Sequence, residues 1–124
     1  MRILAVDDEA DARELVKRIL TVCGATVETA GCAEDALVLL KRIKPHVLIT
    51  DIGMPGEDGY AVIRRVRQLG ADQGGAIPAI ALTAFARSED RKRAILNGFQ
   101  MHMAKPVEPS ELVTMVASLS RSSR

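Results

Sequence analysis

Short strand-like segments alternate five times with segments of helical periodicity, and this alternation restricts the fold of the chain more than any other feature. Two of the strand-like runs, Ile3-Leu4-Ala5-Val6 and Val47-Leu48-Ile49-Thr50, are almost wholly apolar. Runs of this kind are typical of strands that are covered on both faces of a parallel sheet. Repeated β-α units favour right-handed crossovers with helices on both faces. We therefore predict an α/β fold with a doubly wound, five-stranded parallel sheet.

The other predicted strands are a third apolar run, Ala79-Ile80-Ala81-Leu82, a weaker run from Met101 to Ala104, and Thr26-Val27-Glu28-Thr29. The last of these alternates between polar and apolar residues, which is typical of an edge strand. In the helical segments, apolar residues recur three and four positions apart. These stripes run from Ala12 to Cys23, Ala33 to Ile43, Val62 to Leu69 and Leu112 to Leu119, and Ser88 is expected to cap a polar fourth helix that ends at Asn97-Gly98.

The composition excludes several classes of protein. A length of 124 residues suits one domain, which we expect over residues 1–119, with 120–124 as a tail or the start of a linker. The net charge of +1 argues against direct binding of nucleic acid or anionic membrane by bulk attraction. No apolar run approaches the ~20 residues of a membrane span, so no membrane insertion is expected. Two cysteines are too few for a disulfide scaffold, and we expect a cytoplasmic location.

Polar residues follow four of the five predicted strands at the point where each strand ends. Asp7 and Asp8 follow the first strand, Asp51 ends the third, Thr83 follows the fourth, and Lys105 follows the fifth. Ligands of open parallel sheets bind beyond the carboxyl ends of the strands. We therefore expect these five side chains to form one site.

The charges of this set indicate its chemistry. Three carboxylates repel one another unless a cation joins them, and Lys105 supplies only one positive charge. A hard divalent ion with oxygen ligands completes the balance, and the lack of neighbouring His or Cys favours Mg²⁺, with Mn²⁺ as the alternative. An aspartate beside such an ion, with Lys and Thr facing it, is equipped to accept a phosphoryl group on its carboxylate.

The motifs at the strand ends resemble those of receiver domains of two-component response regulators, from about Arg2 to Leu119. The resemblance rests on Leu4-Ala5-Val6-Asp7-Asp8-Glu9, Thr50-Asp51-Ile52-Gly53-Met54-Pro55 with Asp58-Gly59, Ala81-Leu82-Thr83-Ala84, and Ala104-Lys105-Pro106. It implies a flavodoxin-like sheet with strand order 2-1-3-4-5. It also implies that a histidine kinase or a histidine phosphotransfer protein is the partner. Two longer segments, residues 81–87 and 98–107, resemble receivers attached to hybrid sensor histidine kinases more than receivers of DNA-binding regulators.

The resemblance also assigns roles to single residues. Asp51 is the phosphoacceptor, and Asp7, Asp8, Asp51 and the backbone carbonyl of Gly53 hold Mg²⁺. Lys105 pairs with Asp51 before the phosphoryl group arrives and with that group afterwards, and the Lys105-Pro106 bond is expected to be cis. Thr83 moves towards the phosphoryl group. A partner then reads the changed face of the fourth helix, fifth strand and fifth helix.

The chain departs from the commonest family pattern at the second switch position. His102 stands where Tyr or Phe is usual, which puts the aromatic form of the switch in doubt. Two residues thought to modulate dephosphorylation, Gly53 and Phe85, leave the lifetime of the phosphorylated state open. His102 is either a switch or pH sensor, or a partly buried packing residue.

Other interpretations of the same residues stay open at this point. Asp7 or Asp8 alone is also suited to capping the first helix. An aspartate-nucleophile phosphatase would need a second acid at the position of Gly53. A nucleotide-binding module would need a glycine-rich loop in place of the two acids. A receiver that only docks, without phosphorylation, is the remaining alternative. We expect a domain that is not a turnover enzyme and catalyses only its own phosphorylation and dephosphorylation.

Overall fold

The computed structural model describes residues 1–84 and 87–122, and the side chains of residues 121 and 122 are outside this description. Five parallel strands form one sheet in the order β2-β1-β3-β4-β5, which confirms the predicted fold class and strand order. The edge strands are thus β2 and β5. The strands are β1 Arg2–Val6, β2 Thr26–Ala30, β3 Val47–Asp51, β4 Ala79–Thr83 and β5 Met101–Ala104.

Five α-helices connect and follow the strands, with one short 3₁₀ turn at Ala71–Gln73. The sequence prediction of a capping Ser88 is wrong. Arg87 has the extended backbone of the N-cap position, and Ser88 is already the first helical residue. The helices are α1 Ala10–Val22, α2 Ala33–Ile43, α3 Gly59–Arg67, α4 Ser88–Asn97 and α5 Pro109–Ser122.

Two hydrophobic clusters cover the two faces of the sheet. Alternate strand residues such as Ile3 and Ile49 pack against buried side chains of α1 and α5, while Leu4 and Leu48 pack against α2 and α3. This alternation follows from the two-residue period of a strand. The predicted apolar stripe of α1 is wider than its buried part, because Leu15 is 45% exposed.

Helix α5 runs past the expected domain end at residue 119 and reaches Ser122. The division at 119 therefore does not coincide with the end of a helix, and the tail or linker stays a prediction. Within the described residues, no helix has the length and apolar character needed to cross a bilayer.

Candidate functional site

The strand register brings the residues expected at the site to one edge of the sheet. Val6 pairs with Thr50, so Asp7 leaves β1 beside the end of β3. Asp51 pairs with Leu82, and Thr83 pairs with Ala104. The carboxyl ends of the four neighbouring strands are therefore level with one another, as the sequence predicts.

Lys105 links the two buried carboxylates of this edge. Its Nζ lies 3.1 Å from Oδ1 of Asp51 and 2.9 Å from Oδ2 of Asp7. Asp7 and Asp51 are 3% and 5% exposed, so both carboxylates have left bulk water. The contact with Asp51 is the expected one, whereas the contact with Asp7 is an addition that the sequence did not indicate. The Lys105–Pro106 bond is cis, as expected.

Burial and neighbouring charged groups together shift the pKa values of Asp51 and Lys105. Burial raises the pKa of Asp51, and the neighbouring Asp7 adds to that rise, against hydrogen bonds from Lys105 and the backbone of Gly53. Burial lowers the pKa of Lys105, but its hydrogen bonds to Asp7 and Asp51 outweigh this effect, so the net shift is upward. The ionised form of Asp51 is therefore less stable here than in water, while the charged form of Lys105 is more stable.

The acidic set fits a divalent cation. Asp7, Asp8 and Asp51 each offer a carboxylate oxygen, and these oxygens lie within 4.8 Å of one another. Asp8 is exposed while the other two are buried, so one side of the set is open to solvent. Oxygen-only donors are the ligands that Mg²⁺ and Mn²⁺ prefer.

Asp7 is held in place from four directions. Its N–H donates to the carbonyl of Ala30 at 3.1 Å, and its Oδ1 accepts from the N–H of Glu9 at 3.0 Å. Its Oδ2 accepts from Lys105, and its own carbonyl accepts from Nη1 of Arg13 at 2.7 Å. Because Glu9 occupies the N-cap of α1 without a side-chain cap, helix capping does not account for Asp7.

The two expected switch residues lie on adjacent strands. Thr83 is buried at the end of β4, and its backbone carbonyl accepts from the N–H of Lys105 at 2.7 Å. His102 pairs with Ala81 in the sheet. Its Nε2 is buried and has no hydrogen-bond partner among residues 1–84 and 87–122. Phe85, the residue expected to shield the site, lies outside the described residues.

Two openings in the surface adjoin site residues, one beside Lys105 and Asp7 and the other beside His102. A mainly apolar cleft of about 400 Å³ lies beside Lys105 and Asp7, with walls that include Leu15, Pro106 and Val107. A groove of about 660 Å³ runs between α4, β5 and α5, and His102 lines it. One opening therefore reaches the acidic set, and the other lies along the face of α4 and α5.

The comparison with known families agrees with this geometry. The family model described as response regulator receiver domain matches residues 3–117. The chain belongs to the receiver domain family of response regulators. Receiver domains of this family act in two-component signal transduction, which establishes the general role of the chain.

Individual relatives support the same assignment. An uncharacterised 14.6 kDa protein of the sodA1 3' region of Leptolyngbya boryana is 47% identical over 116 residues, covering 94% of this chain and 87% of its own. Response regulator MprA of Mycobacterium leprae is 36% identical over 98% of this chain but only 51% of its own length. The receiver domain thus spans about half of that longer relative.

A solved structure shows the same architecture. Chemotaxis protein CheY4 of Vibrio cholerae superimposes on this receiver domain with a TM-score of 0.88 and 28% identity, over 95% of this chain and 97% of CheY4. The flavodoxin-like arrangement of five strands and five helices is therefore shared with a solved receiver domain.

Two residues near the acidic set escaped the sequence analysis of the receiver domain. One is Arg13, which contacts the carbonyl of Asp7. The other is Gly59, the first residue of α3, where a Cβ atom would collide with the carbonyl oxygen of Asp51. The Asp58-Gly59 pair was visible in the sequence, but the close approach that requires glycine depends on how α3 docks against β3.

Proposed function

We propose that this receiver domain accepts a phosphoryl group on Asp51 from a phosphohistidine of a histidine kinase or a histidine phosphotransfer protein. The observation that carries the proposal is the position of Asp51. This carboxylate is buried at the end of β3, in contact with Lys105 and within reach of the oxygens of Asp7 and Asp8. A lysine and metal-ligating acids beside the acceptor carboxylate supply the positive charge that phosphoryl transfer onto an aspartate requires.

In the proposed transfer, a carboxylate oxygen of Asp51 forms a bond to phosphorus as the phosphorus–nitrogen bond of the donor breaks. The imidazole of the donor leaves with the electron pair of that bond. Lys105 already contacts Asp51, so its ammonium group is placed to stabilise the incoming negative charge. The mainly apolar cleft beside Lys105 and Asp7 is an opening through which a donor could approach the site on that side.

Asp7, Asp8 and Asp51, with the backbone carbonyl of Gly53, are the proposed ligands of Mg²⁺, and Mn²⁺ is the proposed alternative. When bound, the ion supplies positive charge to the phosphoryl oxygens and offsets the repulsion between the carboxylates. The chain itself holds the ligand set together, because Asp7 and Asp51 share Lys105 as a partner.

The proposed signal passes through Thr83 and His102. Thr83 is the last residue of β4. A hydrogen bond donated by its hydroxyl to a phosphoryl oxygen would draw the Thr83 side chain towards Asp51. His102 lies on the neighbouring strand and lines the groove beside α4. A partner or an attached domain then recognises the changed face of α4, β5 and α5.

Several further features belong to the same proposal. The receiver domain catalyses only its own phosphorylation and dephosphorylation and has no turnover on an external substrate. Its place of action is the cytoplasm, with no direct nucleic-acid contact and no membrane insertion. The parent protein is either a response regulator or a hybrid sensor kinase, and residues 1–119 form the receiver domain in both cases.

The test uses small phosphodonors and intact mass. Incubation with acetyl phosphate or phosphoramidate and Mg²⁺ is expected to add a single group of ~80 Da. The adduct should vanish in Asp51→Asn and in excess chelator. Asp72→Asn, which removes an exposed acid from the 3₁₀ turn, serves as the matched control and should react like the wild type. An adduct that persists in Asp51→Asn would exclude Asp51 as the acceptor.

A further inference from the structure

Arg13 lies next to the acidic set but, among the described residues, contacts the backbone of Asp7 and not a carboxylate. Its Nη1 donates to the backbone carbonyl of Asp7 at 2.7 Å. The partly buried guanidinium therefore contacts the main chain of a proposed metal ligand, while the carboxylate of that residue is taken by Lys105 and Glu9.

The loop after β2 leaves room for this guanidinium. A Cβ atom at Gly31 would lie 3.0 Å from Nη1 of Arg13 and 4.0 Å from the carbonyl oxygen of Asp7. The preceding residue, Ala30, accepts the N–H of Asp7. Arg13 and Ala30 thus hold the two peptide groups that flank Asp7, from helix α1 on one side and from strand β2 on the other.

We propose that Arg13 is a positioning residue for Asp7, and that Gly31 provides the space in which it works. The Arg13 guanidinium holds the orientation of the peptide group after Asp7 through its carbonyl oxygen. This orientation in turn sets the direction in which the Asp7 carboxylate points relative to Asp8 and Asp51. Groups that orient a metal ligand typically change the metal affinity roughly 10- to 100-fold when they are removed. The inference rests on the proposed function, because it assumes that the acids bind Mg²⁺.

The opposite sign is expected if Arg13 acts only through its charge. A cation this close to the acids repels Mg²⁺, so its removal would then strengthen binding of the ion. A positioning role predicts weaker binding after the same substitution. The direction of the change therefore separates the two roles of Arg13.

The experiment measures Mg²⁺ affinity by isothermal titration calorimetry at constant ionic strength, for the full chain and its variants. Arg13→Met is expected to weaken Mg²⁺ binding about tenfold, with Arg13→Lys in between because it keeps one donor. The Mg²⁺ concentration that gives half the maximal rate of phosphorylation by acetyl phosphate should rise by the same factor. The control is Arg18→Met, which removes an exposed cation of the same helix that pairs with Glu14, and it should not weaken binding.

A second variant tests the geometry without removing any charge. Gly31 is not among the glycines with positive φ, so alanine fits its backbone, and the added methyl group would displace the end of the Arg13 side chain. We expect Gly31→Ala to weaken Mg²⁺ binding about threefold in the wild type and to have no further effect in Arg13→Met.

The outcomes separate this inference from the proposed function. Unchanged or tighter Mg²⁺ binding in Arg13→Met overturns the positioning role, even if the wild type binds the ion and forms the adduct on Asp51. An equal effect of Gly31→Ala in both backgrounds also overturns it. A wild-type chain that neither binds Mg²⁺ nor forms the adduct overturns the proposed function together with the inference.

Discussion

Lys105 supplies the positive charge that contacts both Asp7 and Asp51 of the acidic set. It is 23% exposed and contacts two carboxylates that are almost fully buried. Without it, Asp7 and Asp51 would face each other as like charges in a region of low polarity. Removing one member of a buried ion pair is costly chiefly because the remaining charge stays buried.

We therefore expect Lys105→Met to lower the free energy of unfolding by about 2 kcal/mol at neutral pH in the presence of a chelator. Saturating Mg²⁺ should restore most of this loss, because the ion neutralises the same two carboxylates. Urea unfolding followed by circular dichroism, with and without Mg²⁺, measures both effects. The matched control is Lys92→Met on the exposed side of α4, and a loss in Lys105→Met no larger than in this control would contradict the argument.

At the level of helices and strands, the sequence was informative where the chemistry is local. Apolar runs identified β1, β3 and β4, since burial on both faces requires apolar residues at consecutive positions, while β2 was predicted from its alternation of polar and apolar residues. The strand-end acids, Thr83 and Lys105 were predicted because parallel strands end at one edge. Arg13 and Gly59 were missed, since their roles depend on how α1 and α3 pack against the sheet. The exposure of Leu15 was missed for a related reason: periodicity does not show how much of an apolar stripe a neighbouring element covers.

Arg67 of α3 joins the end of α4 to two loops, beside a hydrogen bond from Arg64 to Asn97. Nε and Nη2 of Arg67 donate to the carbonyl of Gly98 at 3.0 and 2.6 Å, and Nη1 donates to the carbonyls of Gly75 and Ile77 at 3.0 and 2.6 Å. Burial lowers the pKa of Arg67, and these acceptors are neutral carbonyls. The side chain thus satisfies buried backbone groups of two loops and the C-cap of α4.

Arg67→Met is expected to lower the free energy of unfolding by about 2 kcal/mol, because several buried carbonyls lose their donor. Amide hydrogen exchange near Phe99 and Gln100 should quicken more than exchange in β1. The control is Arg65→Met on the same helix, where the arginine pairs with exposed Glu34 and Glu57 and should contribute little. Equal losses in the two variants would show that Arg67 acts only as a surface charge.

For the molecule as a whole, the net charge is only +1, but the negative charges are unevenly distributed, since Asp7, Asp8 and Asp51 lie together. Asp7 and Asp51 place two carboxylates in a buried position, where one lysine, Lys105, is shared between them. The proposed function requires these carboxylates close together, because they would hold a metal ion and one of them would accept a phosphoryl group. The receiver domain is thus expected to be less stable at neutral pH than its apolar core would allow, and the deficit should depend on pH and on Mg²⁺.

Replacing Asp51 tests this loss of stability directly. Burial raises the pKa of Asp51 in the folded state, so the folded chain binds a proton more tightly there than the unfolded chain, and the ionised carboxylate destabilises the fold. Asp51→Asn should therefore raise the free energy of unfolding at pH 7 in chelator. The gain should shrink as pH falls through the raised pKa of Asp51, since protonation removes the same charge from the wild type. Thermal unfolding of both proteins between pH 7 and pH 4 measures the difference, with Asp72→Asn as a control for loss of an exposed acid. A gain that stays constant over this pH range, or a loss at pH 7, would mean that the buried carboxylate does not destabilise the fold.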